Sequence, residues 1–357
     1  MREYYRYMTN STINDLGGTD ITGFQNEDGK ISAGDSNAAL LSFFARVNYD
    51  YDNKYLLSLS IRRDESSKFH KDNRVGYFPS VSAGWNVHQE KWFQNPVMSK
   101  LKIRASYGEL GANFLNPYNF DAIAYGPIPY TVGGERYVTG RAAYLKSKDL
   151  KWETAKTTDI GIELGFFNND LTLSLDYFVK KNVDLLAQID LNLSSGQIFE
   201  INSSREKPYV NTASVKNTGW EFMMNYRKQL TKDFHIDATF NIATLKNKVL
   251  SLGENVQPIT SGAMSSYFND APSITMPGEA IGSFYGYKID GFDAEGNFIF
   301  ADMDKNGVVN ANDKVILGSP IPDFTYGLNI NMEYKDFDLT LFFQGVQGLS
   351  LIHISEP

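Results

Sequence analysis

The chain contains no cysteine, so a disulfide framework and thiol chemistry are both excluded. Histidine is scarce: His70, His88, His235 and His353 are scattered, which makes a histidine-based metal or catalytic centre improbable as a basis for function. Positive charge is also in deficit. There are 34 Lys and Arg against 42 Asp and Glu, giving a net charge of -8 and a pI of about 5.2, which excludes nucleic acid as the expected partner. No apolar run reaches about 18 residues, so no transmembrane helix is predicted. Mean hydropathy is -0.33, a value that leaves barrels open because their strands alternate apolar and polar positions. No P-loop, GxSxG, HExxH or dinucleotide-binding glycine pattern occurs. The carboxylates Glu153, Asp159, Glu163 and Asp176 sit on or beside expected strands, but nothing singles out two of them as a glycosidase pair. No catalytic constellation is read, and the chain is not expected to be an enzyme.

Aromatic residues and alternation are abundant. Aromatics make up 14% of the chain, with 21 Tyr and 24 Phe. From Leu41 to Gly348, about ten stretches alternate apolar and polar residues with the period of two that marks half-buried strands. They are Leu41–Tyr51, Lys54–Asp64, Tyr77–Val87, Lys100–Glu109, Asp159–Phe167, Leu171–Lys180, Trp220–Arg227, Phe234–Thr244, Tyr326–Tyr334 and Phe337–Gly345. In Leu171–Lys180, residues Leu171, Leu173, Leu175, Tyr177 and Val179 fall on one face. Short turns at Asp52-Asn53, Asn168-Asn169-Asp170 and Lys335-Asp336 alternate with long connections at Gly111–Lys151, Lys181–Lys216 and Leu245–Pro322, expected to be structureless loops. Short turns at one end and long loops at the other are the layout of an outer-membrane barrel, whose long loops face outside the cell. Tyr49, Tyr55, Trp85, Tyr107, Tyr177, Trp220, Tyr326 and Tyr334 lie towards strand ends, as membrane-interface girdles require, although aromatics also favour sandwich strands. The fold class expected is all-β: an antiparallel transmembrane β-barrel, present in part, with long extracellular loops.

Two local patterns in the last long connection carry chemistry. Asp302, Asp304, Asn306, Val308, Asn310 and Asp313 occupy positions 1, 3, 5, 7, 9 and 12 of a twelve-residue calcium loop, with Gly307 at the sharp turn. Val308 would offer its carbonyl. Asp313 replaces the usual glutamate, and its shorter reach implies weaker binding. An Asx-rich turn built on Asn306-Gly307 would need no metal. The second pattern is Gly282-Ser-Phe-Tyr-Gly-Tyr. Phe284, Tyr285 and Tyr287 could stack on sugar faces as substrate contacts, or form a strand packed on the barrel rim.

Together these segments resemble the C-terminal barrel half of SusC/RagA-like TonB-linked outer-membrane transporters of Bacteroidota. The resemblance rests on ordered stretches covering most of the chain, among them LSFFARVNYDYDNKYLLSLSIRRDESSKF (41–69), LKWETAKTTDIGIELGFFNNDLTLSLDYFVKKNVDLL (150–186), IGSFYGYKIDGF (281–292) and DMDKNGVVNANDKVILGSPIPDFTYGLNINMEYKDFDLTLFFQGVQG (302–348). It implies a barrel of about 22 strands holding a plug, a SusD-like lipoprotein capping it, and import of oligosaccharides or peptides driven through the TonB complex. MREYYRYMTN has no apolar signal core, so the chain is expected to be an internal fragment: 1–348 the C-terminal part of the barrel, 349–357 an assembly artefact, because LSLIHISEP resembles translated adapter sequence. Two other readings stand beside this one: a soluble β-sandwich carbohydrate-binding module, and another outer-membrane receptor or porin.

Overall fold

The computed structural model describes residues 2–8, 33–115, 124–142, 149–188, 209–253, 256–262 and 271–349. The strands, in chain order, are β1 (Arg2–Met8), β2 (Ala33–Tyr51), β3 (Tyr55–Ser66), β4 (Val75–Asn86), β5 (Met98–Ala112), β6 (Ala124–Val132), β7 (Glu135–Ala142), β8 (Glu153–Phe166), β9 (Leu171–Gln188), β10 (Tyr209–Thr231) and β11 (Phe234–Thr244). There follow β12 (Lys246–Ser251), β13 (Ile259–Ser261), β14 (Ser273–Thr275), β15 (Ser283–Tyr287), β16 (Ile289–Phe292), β17 (Phe298–Phe300), β18 (Lys314–Gly318), β19 (Phe324–Tyr334) and β20 (Phe337–Gln347). Among the described residues twelve strands join in one sheet, ordered β1-β2-β3-β4-β5-β8-β9-β10-β11-β19-β20, with β12 also paired to β10. The strand pairs of that sheet are antiparallel throughout. Each of the ten alternating segments of the sequence lies on one of these wall strands.

The turns follow from their residues. Asp52 and Asn53 adopt φ of 54° and 52°, the left-handed conformation that a two-residue hairpin turn demands and that Asp and Asn tolerate. The Lys54 amide donates to the Tyr51 carbonyl at 2.9 Å to close the turn. Asn168, Asn169 and Lys335 take the same conformation at the β8–β9 and β19–β20 turns. These turns, the β10–β11 turn and the 87–97 connection all lie at one end of the sheet. Residues 67–74, 113–152, 189–208 and 245–323 connect strands at the other.

Alternation divides the sheet into two faces. Leu57, Leu59 and Ile61 of β3 stand beside Tyr49, Val47 and Ala45 of β2 and beside Ala83, Val81 and Pro79 of β4. This apolar face is uncovered: Val47, Leu59 and Ile61 are 62%, 45% and 49% exposed. A sandwich would bury such a face beneath a second sheet, and among the described residues none is packed there, so the sandwich reading is corrected. In a bilayer the same face is solvated by lipid. From Leu171 to Val179 the apolar row spans eight residue steps. At ~3.4 Å per step and ~40° tilt it projects to ~21 Å, close to the ~25 Å band of outer-membrane barrels. Among the described residues no helix is long and apolar enough to cross a membrane.

Aromatics bound this band. Tyr51, Tyr55 and Trp85 stack in series beside the first short turn, at centroid separations of 6.4 and 6.3 Å. Glu90 fixes two of them, accepting from Tyr55 Oη at 2.7 Å and from Trp85 Nε1 at 3.1 Å. Towards the long-loop end, Tyr177 and Trp220 pair across β9 and β10 at 4.8 Å.

The long connections correct the expectation of structureless loops. Residues 181–188 and 209–216 continue β9 and β10. The alternation is hidden there because register shifts fall between Asn211 and Val215 opposite Asn182 to Leu186, with Asp184 at φ 56°. Gly111–Lys151 contains the β6–β7 hairpin. Leu245–Pro322 contains β12, a four-stranded sheet β13-β14-β15-β18 and the β16–β17 hairpin. Two apolar clusters hold the roots of these loops. One is Phe69, Phe78, Leu115, Leu150 and Trp152, joined by Leu40, Leu186 and Tyr209; the other is Ala213, Val215, Val249 and Leu252, joined by Leu185 and Val256. The segment 349–357, expected to be an artefact, lies from Ser350 onward outside the described residues.

Candidate functional site

The Asp302–Asp313 loop closes on itself. Gly307, at φ 85°, turns the chain so that its amide donates to Asp302 Oδ2 at 2.6 Å, while the Asn306 amide meets Asp302 Oδ1 at 3.2 Å and Asp304 Oδ1 at 3.1 Å. Asn310 caps the short turn Ala311–Asp313, and Asp313 answers by accepting the Asn310 amide at 2.7 Å. Asp313 is fully buried and also accepts the amides of Met303 at 2.8 Å and Asp304 at 3.3 Å. The Asn310 amide, with those of Asp304 and Met303, holds the Asp313 carboxyl below the usual carboxylate range against the opposing effect of burial. Carboxylate oxygens of Asp302, Asp304 and Asp313 lie within 4.8 Å of one another. Three hard anionic oxygens at that spacing match what a calcium ion takes. The Asn306 side-chain oxygen accepts the Val308 amide at 2.8 Å. The Val308 carbonyl accepts from Asn310 Nδ2 at 3.1 Å.

Phe284, Tyr285 and Tyr287, the aromatic candidates, all lie on β15, inside the loop's own four-stranded sheet and half-buried. Among the described residues, Tyr287 is the one of the three that continues into a larger aromatic surface. Its ring lies 5.6 Å from Phe300, which lies 6.3 Å from Phe298, which lies 5.4 Å from Phe292. Lys314 Nζ stands 5.3 Å from the Tyr287 centroid. Phe292 and Phe298 are 65% and 57% exposed. Sequence reading missed Phe292, Phe298 and Phe300 because the β16–β17 hairpin, not a single run, brings them together. A hairpin signal at Asp293-Ala-Glu-Gly-Asn297 was available: Asp293 accepts the amides of Glu295 and Asn297 at 3.0 and 2.7 Å.

The polar face of the wall gathers three of the four carboxylates noted in the sequence around one cation. Arg104 of β5 lies 3.3 Å from Asp159, 3.4 Å from Glu163 and 2.6 Å from Asp176. Lys100 adds a 2.7 Å contact to Glu163. Arg62 and Arg227 pair instead with Asp64 and Asp237. Glu153 stands apart near the long-loop end, where it accepts the Leu186 amide at 2.8 Å. These carboxylates are ion-pair members of a wall, an arrangement that secures the polar face.

An antiparallel sheet with one lipid-type face, one charged polar face, short turns at one end and structured loops at the other defines an outer-membrane barrel wall. The comparisons specify which kind. The sequence matches the family described as TonB dependent receptor-like, beta-barrel over residues 2–349. It is 36% identical over 332 residues to TonB-dependent receptor P3 of Formosa agariphila, covering 88% of this chain and 32% of that protein. It is 33% identical over 324 residues to TonB-dependent receptor SusC of Bacteroides thetaiotaomicron, covering 84% of this chain and 30% of that protein. The RagAB peptide importer in its open-open state superposes with a TM-score of 0.75 at 24% identity, over 89% of this chain and 34% of that one. The chain therefore belongs to the TonB-dependent receptor β-barrel family and is an outer-membrane protein. The family is one of receptors and transporters, and the chain spans about a third of the length of the curated relatives it matches.

Proposed function

We propose that this chain supplies wall and outward loops to a TonB-dependent importer of oligosaccharides or peptides that works with a SusD-like surface lipoprotein. The observation that carries the reading is the family match over residues 2–349, supported by 33% identity to SusC and by the fold shared with the RagAB peptide importer. TonB coupling rests on that kinship. The polar wall around Arg104 faces the transport path, and the ring row that begins at Tyr287 is the outward surface proposed to meet substrate. Apolar C–H faces of sugars and apolar peptide side chains both suit exposed rings. The test is uptake of labelled oligosaccharides and peptides by cells with and without the gene. Uptake that disappears with the gene, with TonB or with a protonophore supports the reading; uptake that survives loss of TonB refutes it. Replacing Phe292 and Phe298 together by Ala should weaken uptake of the correct substrate by roughly tenfold, the equivalent of ~1.4 kcal/mol.

The Asp302–Asp313 loop is proposed to hold calcium as a structural ion, with Asp302, Asp304, Asn306, the Val308 carbonyl, Asn310 and Asp313 as the ligand set. The support is the approach of three carboxylates in a loop whose spacing matches a calcium site. Limited proteolysis in calcium and in chelator tests it: protection of 302–313 by calcium, lost in Asp302→Asn/Asp304→Asn, is the expected result. Identical cleavage in both conditions would leave a metal-free Asx turn.

A further inference from the structure

Four lysines form a straight cross-strand row on the lipid-facing side. Lys156 of β8 stands directly opposite Lys181 of β9, Lys181 opposite Lys216 of β10, and Lys216 opposite Lys248 of β12. Lys181 has the parity of Leu171, Leu173, Leu175 and Tyr177 on β9, and register places Lys156, Lys216 and Lys248 on the same face, so the row caps the apolar face and does not enter the polar one. Directly opposite residues on one face have Cβ atoms ~4.5–5.5 Å apart, and like charges placed so are destabilising. The surroundings do little to relieve this. Lys156 Nζ lies 3.3 Å from Glu109 at the end of the row, while Lys181, Lys216 and Lys248 have no ion pair with another described residue. The row also runs against the overall charge of -8.

Its height identifies what offsets the repulsion. Lys181 lies four residues beyond Tyr177, and Lys216 four residues before Trp220, the ring pair at the long-loop border of the apolar band. Four steps at ~3.4 Å and ~40° tilt raise the lysine Cα atoms ~10 Å above those rings. That is the headgroup layer of the outer leaflet, and long lysine side chains reach within it. A soluble partner would have to enter the membrane plane to reach this row, whereas lipid phosphates are already there.

We propose that Lys156, Lys181, Lys216 and Lys248 bind the phosphate groups of a phosphorylated glycolipid in the outer leaflet. Two phosphates bridging adjacent lysines would turn repulsion into charge-assisted hydrogen bonds, while the acyl chains of the same lipid lie along the apolar rows beneath.

The test uses the protein extracted from outer membranes. Phosphorylated lipid A retained through delipidation is counted by native mass spectrometry, and the thermal midpoint is followed as lipid A is added back. The comparison is a triple variant, Lys181→Gln/Lys216→Gln/Lys248→Gln. The expected result is at least a fivefold loss of retained lipid A and of its stabilising effect, with recovery in the charge-preserving Lys→Arg triple, which also guards against misfolding of the first variant. Dephosphorylated lipid A should fail to stabilise the wild type. Equal retention by wild type and Gln variant overturns the proposal, as does equal stabilisation by dephosphorylated lipid A. Equal stabilisation by inorganic phosphate alone would mean a plain anion site and also overturn it.

Discussion

Gly111 offers the sharpest energetic test of the rim. Phe78 of β4 is buried, with its ring against Trp152 at 5.6 Å in an edge-on arrangement. A Cβ on Gly111 would sit 2.5 and 2.6 Å from Phe78 Cε1 and Cε2, and nearer still to Cζ. No rotation of a ring already held by Trp152, Phe69 and Leu150 relieves that without loss of packing. Gly111→Ala should therefore cost ~1–3 kcal/mol of overpacking, although Ala otherwise suits a strand better than Gly by ~0.5–1 kcal/mol. Phe78→Ala should cost ~3–5 kcal/mol in transfer and cavity terms. In the double variant the methyl added at position 111 enters space vacated by the ring, so the clash disappears. The double variant should be more stable than the sum of the single losses by ~1–3 kcal/mol. Guanidinium unfolding of all four proteins in one detergent, followed by strand circular dichroism, measures this coupling. Losses additive within ~0.5 kcal/mol would refute the steric account.

Other consequences follow from the two faces and from the outward loop. Leu175→Arg places a cation in the lipid-facing row and should cost ~2–4 kcal/mol in a bilayer, while Ser174→Arg on the polar face should be close to neutral; equal effects would contradict the face assignment. Arg104→Met leaves Asp159, Glu163 and Asp176 without their shared cation, and partial exposure limits the loss to ~1–3 kcal/mol at neutral pH. That deficit should shrink in acid as the carboxylates protonate, and a pH-independent deficit would contradict it. Asp313 titrates below its unfolded value, so the order it provides is complete above the ordinary carboxylate pKa of ~4 and is lost as pH falls through the lower folded value. Hydrogen exchange at the Met303, Asp304 and Asn310 amides should stay slow at pH ~5 and accelerate only well below ~4. Asp313→Asn should abolish that pH dependence, and a midpoint above ~5 in the wild type would contradict the sign.

The wall was legible because each of its strands must present one apolar face to lipid, and a face imposes a period of two that survives in Leu171, Leu173 and Leu175. Turn chemistry was legible at Asp52-Asn53 for the same local reason: the left-handed conformation selects those residues. Legibility ended where a bilayer no longer constrains the chain. Above Lys181 and Lys216 the two strands continue through bulges that shift the alternation, and β13 to β18 are too short for any period to show. The candidate sites divide in the same way. Asp302, Asp304 and Asp313 were visible because a turn fixes ligand spacing along the chain. The row from Tyr287 through Phe300 and Phe298 to Phe292, and the lysine row from Lys156 to Lys248, were not. Both exist only through strand register, which a single segment does not carry.

The measurement that tests the central claim most directly is a cysteine scan along β9, which the absence of native cysteine makes clean. Single cysteines from Leu171 to Lys180 would carry nitroxide labels in the folded, membrane-inserted protein, and collision with oxygen and with a water-soluble nickel complex would be compared at each position. A barrel wall predicts a strict period of two. Leu171, Leu173, Leu175, Tyr177 and Val179 should favour oxygen, and Thr172, Ser174, Asp176, Phe178 and Lys180 should not. Loss of that period, or oxygen preference on the even-numbered positions, would contradict the assignment of this chain to an outer-membrane barrel wall with the faces described.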